Sequence, residues 1–318
     1  DQTNTKIRAT SLYAAGANLY FKRADDIDRL WVTDGTKANT NPVKEGANFI
    51  TSFDNAPGKA VVFNNALYCI AHTGSTDSYL LKVSGATATI VKKTDINGLD
   101  IKFPSDLTVL GGKTLFFKAE DPIGRADQRL WRLNMNGFGE LVGVDVPYKI
   151  IGGAGTWLYF AVYDDFTAQY FLYQSNGLAS KATTNVSSSP VSILVTADPI
   201  AMAAGSILYF QARYPDDQGT LYQTDGNDKS AKPVKDADNR LFSGTTLFGA
   251  SGSNLYFVYN DDIYGNELWT TTGTPAATKI TLNLNLFGNT DFYRSYLIGT
   301  TLYFVANEGT YGIELWKK

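Results

Sequence analysis

One short motif recurs seven times along the chain, and this repetition constrains the fold more than any other feature. It reads Leu19-Tyr20-Phe21, Leu67-Tyr68-Cys69, Leu115-Phe116-Phe117, Leu158-Tyr159-Phe160, Leu208-Tyr209-Phe210, Leu255-Tyr256-Phe257 and Leu302-Tyr303-Phe304. Successive leucines lie 48, 48, 43, 50, 47 and 47 residues apart. That spacing fits a unit of four short strands and their turns. A second motif follows within each unit, at Leu30-Trp31, Leu80-Leu81, Leu130-Trp131, Leu172-Tyr173, Leu221-Tyr222, Leu268-Trp269 and Leu315-Trp316. Turn signals come next, among them Asp34-Gly35, Ser84-Gly85, Asn136-Gly137, Asn176-Gly177, Asp225-Gly226 and Thr272-Gly273; such pairs supply the positive φ that tight hairpins need.

A β-prone segment follows these turns (Pro42-Val43-Lys44, Lys279-Ile280-Thr281-Leu282) and another precedes each first motif (Ser11-Leu12-Tyr13-Ala14, Thr246-Leu247-Phe248). Each unit therefore predicts four antiparallel strands. Runs such as Leu255-Tyr256-Phe257-Val258-Tyr259 are apolar at consecutive positions, as expected of a sheet covered on both faces. Seven four-stranded units with both faces covered predict an all-β, seven-bladed β-propeller, with residues 1–318 as a single domain. The last unit ends at Lys317-Lys318, directly after its second motif, so its outer strand must come from elsewhere. Thr3-Asn4-Thr5-Lys6-Ile7-Arg8 matches the outer-strand pattern and is expected to close the ring by pairing near residues 312–317. The connection is tight: Ile7 lies 12 residues before Leu19, whereas Ile280 lies 22 before Leu302.

The segments Asn266-Glu267-Leu268-Trp269-Thr270-Thr271-Thr272-Gly273-Thr274 and Arg29-Leu30-Trp31-Val32-Thr33-Asp34-Gly35-Thr36 resemble the bacterial Glu-Leu-Trp-x-x-Asp-Gly-Thr repeat, sometimes called hyalin-like. The first, sixth and seventh units match best, and the second departs furthest. The resemblance implies a propeller fold and a secreted or cell-surface setting. The low Met and Cys content and a chain beginning at Asp1 lead to the same expectation, that of a processed secreted protein or a trimmed one.

Charge narrows the partners. With 28 Lys+Arg, 31 Asp+Glu and no basic run, the chain lacks the positive stripe that nucleic acid or an anionic membrane would need. No apolar stretch approaches the roughly 18 residues that cross a bilayer, so membrane insertion is not expected. Oligomeric state is left open.

The polar loop between the two motifs carries acids in every unit: Asp25-Asp26, Asp77, Glu120-Asp121, Asp164-Asp165, Asp216-Asp217, Asp261-Asp262 and Asn307-Glu308. In a propeller these loops share one end. Three readings stand. The pairs serve as turn formers; Asp25, Asp26, Glu120 and Asp121 bind calcium, although none has Asp-x-Asp-x-Asp-Gly spacing; or Asp164, Asp165, Asp216, Asp217, Asp261 and Asp262 bind a glycan or surface protein beside aromatics such as Tyr264 and Tyr311. The fixed slots of Trp31, Trp131, Trp269 and Trp316 point to packing, whereas Trp157 breaks the pattern and is the better candidate for exposure. His72 is the sole histidine and Cys69 the sole cysteine, which leaves little for nucleophilic or multi-histidine metal chemistry. A binding or adhesion module is the expected function, with a protein-interaction scaffold as the alternative. A carbohydrate-active enzyme using paired carboxylates is a second alternative.

Overall fold

The computed structural model describes residues 9–23, 25–51, 59–72, 77–91, 101–121, 125–133, 139–141, 147–176, 184–185, 192–196, 201–213, 219–227, 230–285 and 288–318. They form successive antiparallel sheets, in two compact units, Asp1–Ile150 and Ile151–Lys318.

In the first unit, the strands Ala9–Ala15, Asn18–Arg23, Asp26–Thr33 and Asn41–Pro42 make a four-stranded sheet in chain order. The second sheet runs through Ala60–Phe63, Ala66–His72, Ser78–Ser84 and Thr87–Ile90, and then adds the hairpin Lys44–Glu45 and Asn48–Phe49 at its edge. The expected single outer strand at Pro42-Val43-Lys44 is thus divided: Asn41–Pro42 stays with the first sheet, while Lys44 pairs in parallel with Thr87 of the second. Val43, fully buried, donates its N–H to Leu30 O at 2.8 Å between the two pieces. The third sheet has four strands. In the second unit, the fourth to sixth sheets each have four strands in chain order, and the division between units runs through Lys149–Ala154, the first strand of the fourth. The seventh sheet has three described strands, Asp291–Ile298, Thr301–Asn307 and Ile313–Lys317.

The pairing register explains why the two motifs recur together. The third residue of the first motif lies opposite the second residue of the second motif in sheet after sheet: Phe21 and Trp31, Cys69 and Leu81, Phe117 and Trp131, Phe160 and Tyr173, Phe210 and Tyr222, Phe257 and Trp269, Phe304 and Trp316. Side chains alternate between faces along a strand. The motif's tyrosine therefore faces one way, and its leucine and phenylalanine face the other. Each core cluster joins the tyrosine face of one sheet to the leucine-phenylalanine face of the next. Tyr20 and Leu30 pack with Leu67, Cys69 and Leu81; Tyr209 and Leu221 pack with Leu255, Phe257 and Trp269. Tyr256 and Leu268 likewise meet Leu302 and Phe304.

The turn glycines belong to the same packing. Gly226 sits at φ +82, where a Cβ would come within 2.3 Å of Trp157 Cδ1 and 2.8 Å of the Tyr159 hydroxyl. Gly273, at φ +91, likewise lies over Ile207 and Tyr209. Gln174 and Gln223 donate side-chain N–H groups to the carbonyls of Gly226 and Gly273, at 2.6 and 2.7 Å. A glycine turn in one sheet thus rests on the motif tyrosine of the sheet before it. Trp157, expected to be exposed, is half-buried in this contact. The second sheet's inner turn uses Asn64 and Asn65, at φ 50 and 56, where most other sheets use glycine; asparagine is among the few residues that tolerate this region.

The two ends of this succession are incomplete. Leu315 is 72% exposed, whereas its six counterparts from Leu30 to Leu268 are at most 4% exposed. Leu19 is 37% exposed, while the other six motif leucines are at most 1% exposed. The closing segment expected at Thr3–Arg8 lies outside the described residues, and Ala9 pairs with Arg23 in the first sheet.

Candidate functional site

The acids of the loops between second and third strands mostly serve their own turns or meet cations. Asp164 Oδ1 accepts the backbone N–H groups of Phe166 and Thr167, both at 2.9 Å. Glu308 accepts those of Thr310 and Tyr311, and Asp261 Oδ1 accepts that of Ile263 at 2.8 Å. These N–H groups hold the Asp164 carboxyl below the usual carboxylate range, and at Glu308, where burial pushes the carboxyl up, they together outweigh it and lower it as well. Asp25 takes Arg23 Nε at 2.9 Å and a second bond from the same guanidinium, which lowers its pKa. Asp26 accepts Trp31 Nε1 at 3.0 Å and lies 3.7 Å from Arg29. The positive charge these two acids face is therefore arginine. Glu120, the next-to-last residue of the strand Thr114–Asp121, is half-buried and donates its backbone N–H to Lys102 O; the Asp121 side chain and all of Asp216 and Asp217 lie outside the described residues. Among the described residues, no three His, Cys, Asp or Glu side chains gather as a metal ion would require.

What these turns expose is aromatic and aliphatic. Phe166 is 98% exposed and Tyr311 80%. Tyr264 and Ile263 are exposed beside Asp262, and Asp165 lies open next to Phe166.

The sixth turn borders a cleft between the sixth and seventh sheets. It encloses about 430 Å³. Phe248, Val258 and Phe292 line its apolar part, while Asn260, Asn266 and Asp291 supply polar groups. Asn260 and Asn266 sit opposite each other in register, and the Asn260 amide donates to Asn266 Oδ1 at 2.9 Å. Thr290 also lines the cleft; it is fully buried, and its hydroxyl has no hydrogen-bond partner. Nothing in the sequence singles out Asn260, Thr290 or Asp291, and Asn266 stands there only as the first residue of the Glu-Leu-Trp segment. The available signal was strand alternation: Asn260, next to the acid pair, must point to the opposite face from Asp261.

That opposite face carries a buried ionic group. Asp261 is 4% exposed and receives the Arg240 guanidinium, which lies 3.5 Å from Asp236 and over the Trp269 ring. Glu267, the glutamate of the Glu-Leu-Trp motif, is completely buried on this same face. Burial pushes its carboxyl up to about 7; the Leu284 N–H offsets this in part and the Asp261 charge adds to it. The hairpin Asn254–Asp261 and Gly265–Thr271 thus separates an open amide-lined cleft from a buried acidic cluster. Cys69 is fully buried in the first unit's core, with its thiol pushed up to about 12, and is inert packing. His72 is half-buried at a strand end, with Nδ1 3.1 Å from Asp77 O. None of the described helices is long and apolar enough to cross a membrane.

No known family's sequence profile matches the chain, and no characterised protein matches it in sequence. Among solved structures, it resembles a prolyl endopeptidase at 13% identity and TM-score 0.53, covering 98% of this chain and 46% of that one. It also resembles a Mycobacterium tuberculosis puromycin-hydrolyzing peptidase at 10% identity and TM-score 0.52, covering 98% and 53%. The chain therefore spans about half the length of these peptidases. The β-propeller domain of the Trilobed protease from Pyrococcus furiosus also matches, at 12% identity and TM-score 0.45, over 86% of this chain and 83% of that one. At such identities the likeness is one of fold alone. The chain is an all-β protein of successive, mostly four-stranded antiparallel sheets.

Proposed function

We propose that the chain is a closed seven-bladed β-propeller of the Glu-Leu-Trp repeat type, acting as a binding module of a secreted or cell-surface protein. Its ligand is a carbohydrate or another surface component, met where the loops between second and third strands emerge. The observation that carries the binding reading is the cleft beside the sixth turn, where open amides and a carboxylate surround an apolar floor. Small-ligand sites are typically concave and mostly apolar, with a few convergent polar groups. Closure is supported by the packing rule within each unit. A seventh sheet with an open tyrosine face and a first sheet with an open leucine face are the two halves of one more such contact.

A second reading has its own support. Phe166, Ile263 and Tyr311 expose most of their surface on the turns, as protein-contact residues do. A glycan array probed with the intact chain, with and without calcium, separates the two. Binding to a defined sugar supports the first reading. Silence on every sugar, together with capture of a surface protein that is lost on Phe166→Ala or Tyr311→Ala, supports the scaffold.

A further inference from the structure

We propose that the cleft between the sixth and seventh sheets is the seat of a neutral sugar ring bearing neighbouring hydroxyl groups. This rests on the binding reading above and narrows it to one place and one ligand chemistry.

The argument starts from Thr290. Buried hydroxyls are nearly always hydrogen-bonded, because leaving one unpaired forfeits its hydration without return. Thr290 lines the cleft with its hydroxyl fully buried and without a partner, so a ligand whose entry shifts this wall can supply the missing bond. The rim adds a matching set. The bond from Asn260 to Asn266 uses one amide hydrogen, leaving the second hydrogen of Asn260 and the NH₂ group of Asn266 as donors. Asp291, an exposed carboxylate, accepts only. Donors and acceptors side by side match hydroxyl groups, which do both.

The rest of the lining selects the ligand. Phe248, Val258 and Phe292 offer an apolar floor to the C–H face of a ring, and the half-exposed Tyr293 ring stands at the mouth. Among the described residues no lysine or arginine lines the cleft, and the carboxylate of Asp291 disfavours anions, so sulfated and acidic sugars fit poorly. A single carboxylate is too few for a divalent cation, which wants several charged or carbonyl oxygens. The volume of about 430 Å³ lies near the lower end of small-ligand sites, which span roughly 300–1,000 Å³.

The test uses the intact, isotope-labelled chain and a panel of methyl pyranosides: glucose, galactose, mannose and N-acetylglucosamine, with glucuronic acid as the acidic comparison. Binding is followed through the side-chain amide signals of Asn260 and Asn266 and the backbone signal of Thr290. At least one neutral pyranoside should move all three, and Asn266→Ala should weaken it by about tenfold, the loss of one or two neutral hydrogen bonds. Lys82→Ala, at an exposed position of the second sheet, should leave it unchanged. Because Asn266 borders a buried cluster, Asp291→Ala on the exposed rim provides a second variant with the same expected loss. Sugar binding that moves only other residues overturns the cleft and leaves the binding function standing. Preference for glucuronic acid overturns the ligand class. Absence of any shift with every pyranoside overturns the proposal outright, whatever the array shows for other ligands.

Discussion

Replacing Gly226 with alanine tests the contact that ties one sheet to the next. Two costs add. An L-residue at φ +82 leaves its preferred region, which costs roughly 1–2 kcal/mol. The new methyl group would also lie 2.3 Å from Trp157 Cδ1, 2.6 Å from its Nε1 and 2.8 Å from the Tyr159 hydroxyl, so two packed rings must move. Forcing extra volume into a packed site costs roughly 1–3 kcal/mol. The sum is about 2–5 kcal/mol. Gly85 is the matched control: it has φ +56, but nothing lies within 4 Å of its added Cβ, so alanine there should cost only the backbone term of about 1 kcal/mol. Urea unfolding of both variants, followed by tryptophan fluorescence, measures the difference. In a Trp157→Ala background the clash has room to relax, and the cost of Gly226→Ala should fall by about 1–3 kcal/mol. Equal costs for Gly226→Ala and Gly85→Ala, with no coupling to Trp157, would refute the packing rule.

Glu267 gives two linked predictions. Its folded pKa, about 7, lies above the ordinary glutamate value of 4.5. Between these values the folded chain keeps a proton that the unfolded chain has lost. The stability associated with this proton is therefore complete below the unfolded value and declines as pH rises through the folded one, by up to about 3 kcal/mol. Glu267→Gln, neutral at every pH, should remove that decline, so that its urea midpoints at about pH 5 and about pH 8 differ less than those of the parent chain. A variant with the parent's full pH slope would show that Glu267 is not the titrating group.

The fold was legible where the same chemistry recurs in phase. The motif Leu-Tyr-Phe implies alternate faces, and the structure pairs its third residue with the tryptophan slot across neighbouring strands. Trp157 misled because it stands outside the repeat. Its partner is Gly226, 69 residues later in the next sheet, and nothing local records that contact. The divided strand around Val43 was hidden for a related reason, since Lys44 pairs with Thr87 in another sheet. The acid pairs were visible, but their partners were not. A carboxylate that accepts N–H groups two and three residues ahead, as Asp164 does, has the same sequence as one waiting for a ligand. The cleft is assembled from Asn260, Asn266, Thr290 and Asp291, polar residues common in loops and individually unremarked. Only the pairing of the hairpin and the arrival of the seventh sheet bring them together.

Ring closure is the claim on which the proposed module depends, and one cross-link tests it directly. Between neighbouring sheets the first residue of one inner turn approaches the second residue of the next in three places, with an added Cβ 3.9 Å from Asn65 Cβ at Gly16, 3.4 Å from Ser206 Cβ at Gly155 and 3.7 Å from Ser253 Cβ at Gly205, whereas at Gly252 nothing lies within 4 Å. A disulfide wants Cβ atoms about 3.5–4.5 Å apart. Gly155→Cys with Ser206→Cys is therefore the positive control. Gly299→Cys with Ala17→Cys is the corresponding pair for a seventh sheet followed by the first; Gly155 and Gly299 have nearly the same φ, +58 and +61, but an added Cβ at Gly299 has nothing within 4 Å, so this pair forms only if the ring closes. Under mild oxidation, a closed ring predicts that both pairs form intramolecular disulfides at comparable rates in a monomeric chain. If the control pair closes while the Ala17 and Gly299 pair stays reduced, or joins only two separate chains, the ring is not closed as proposed.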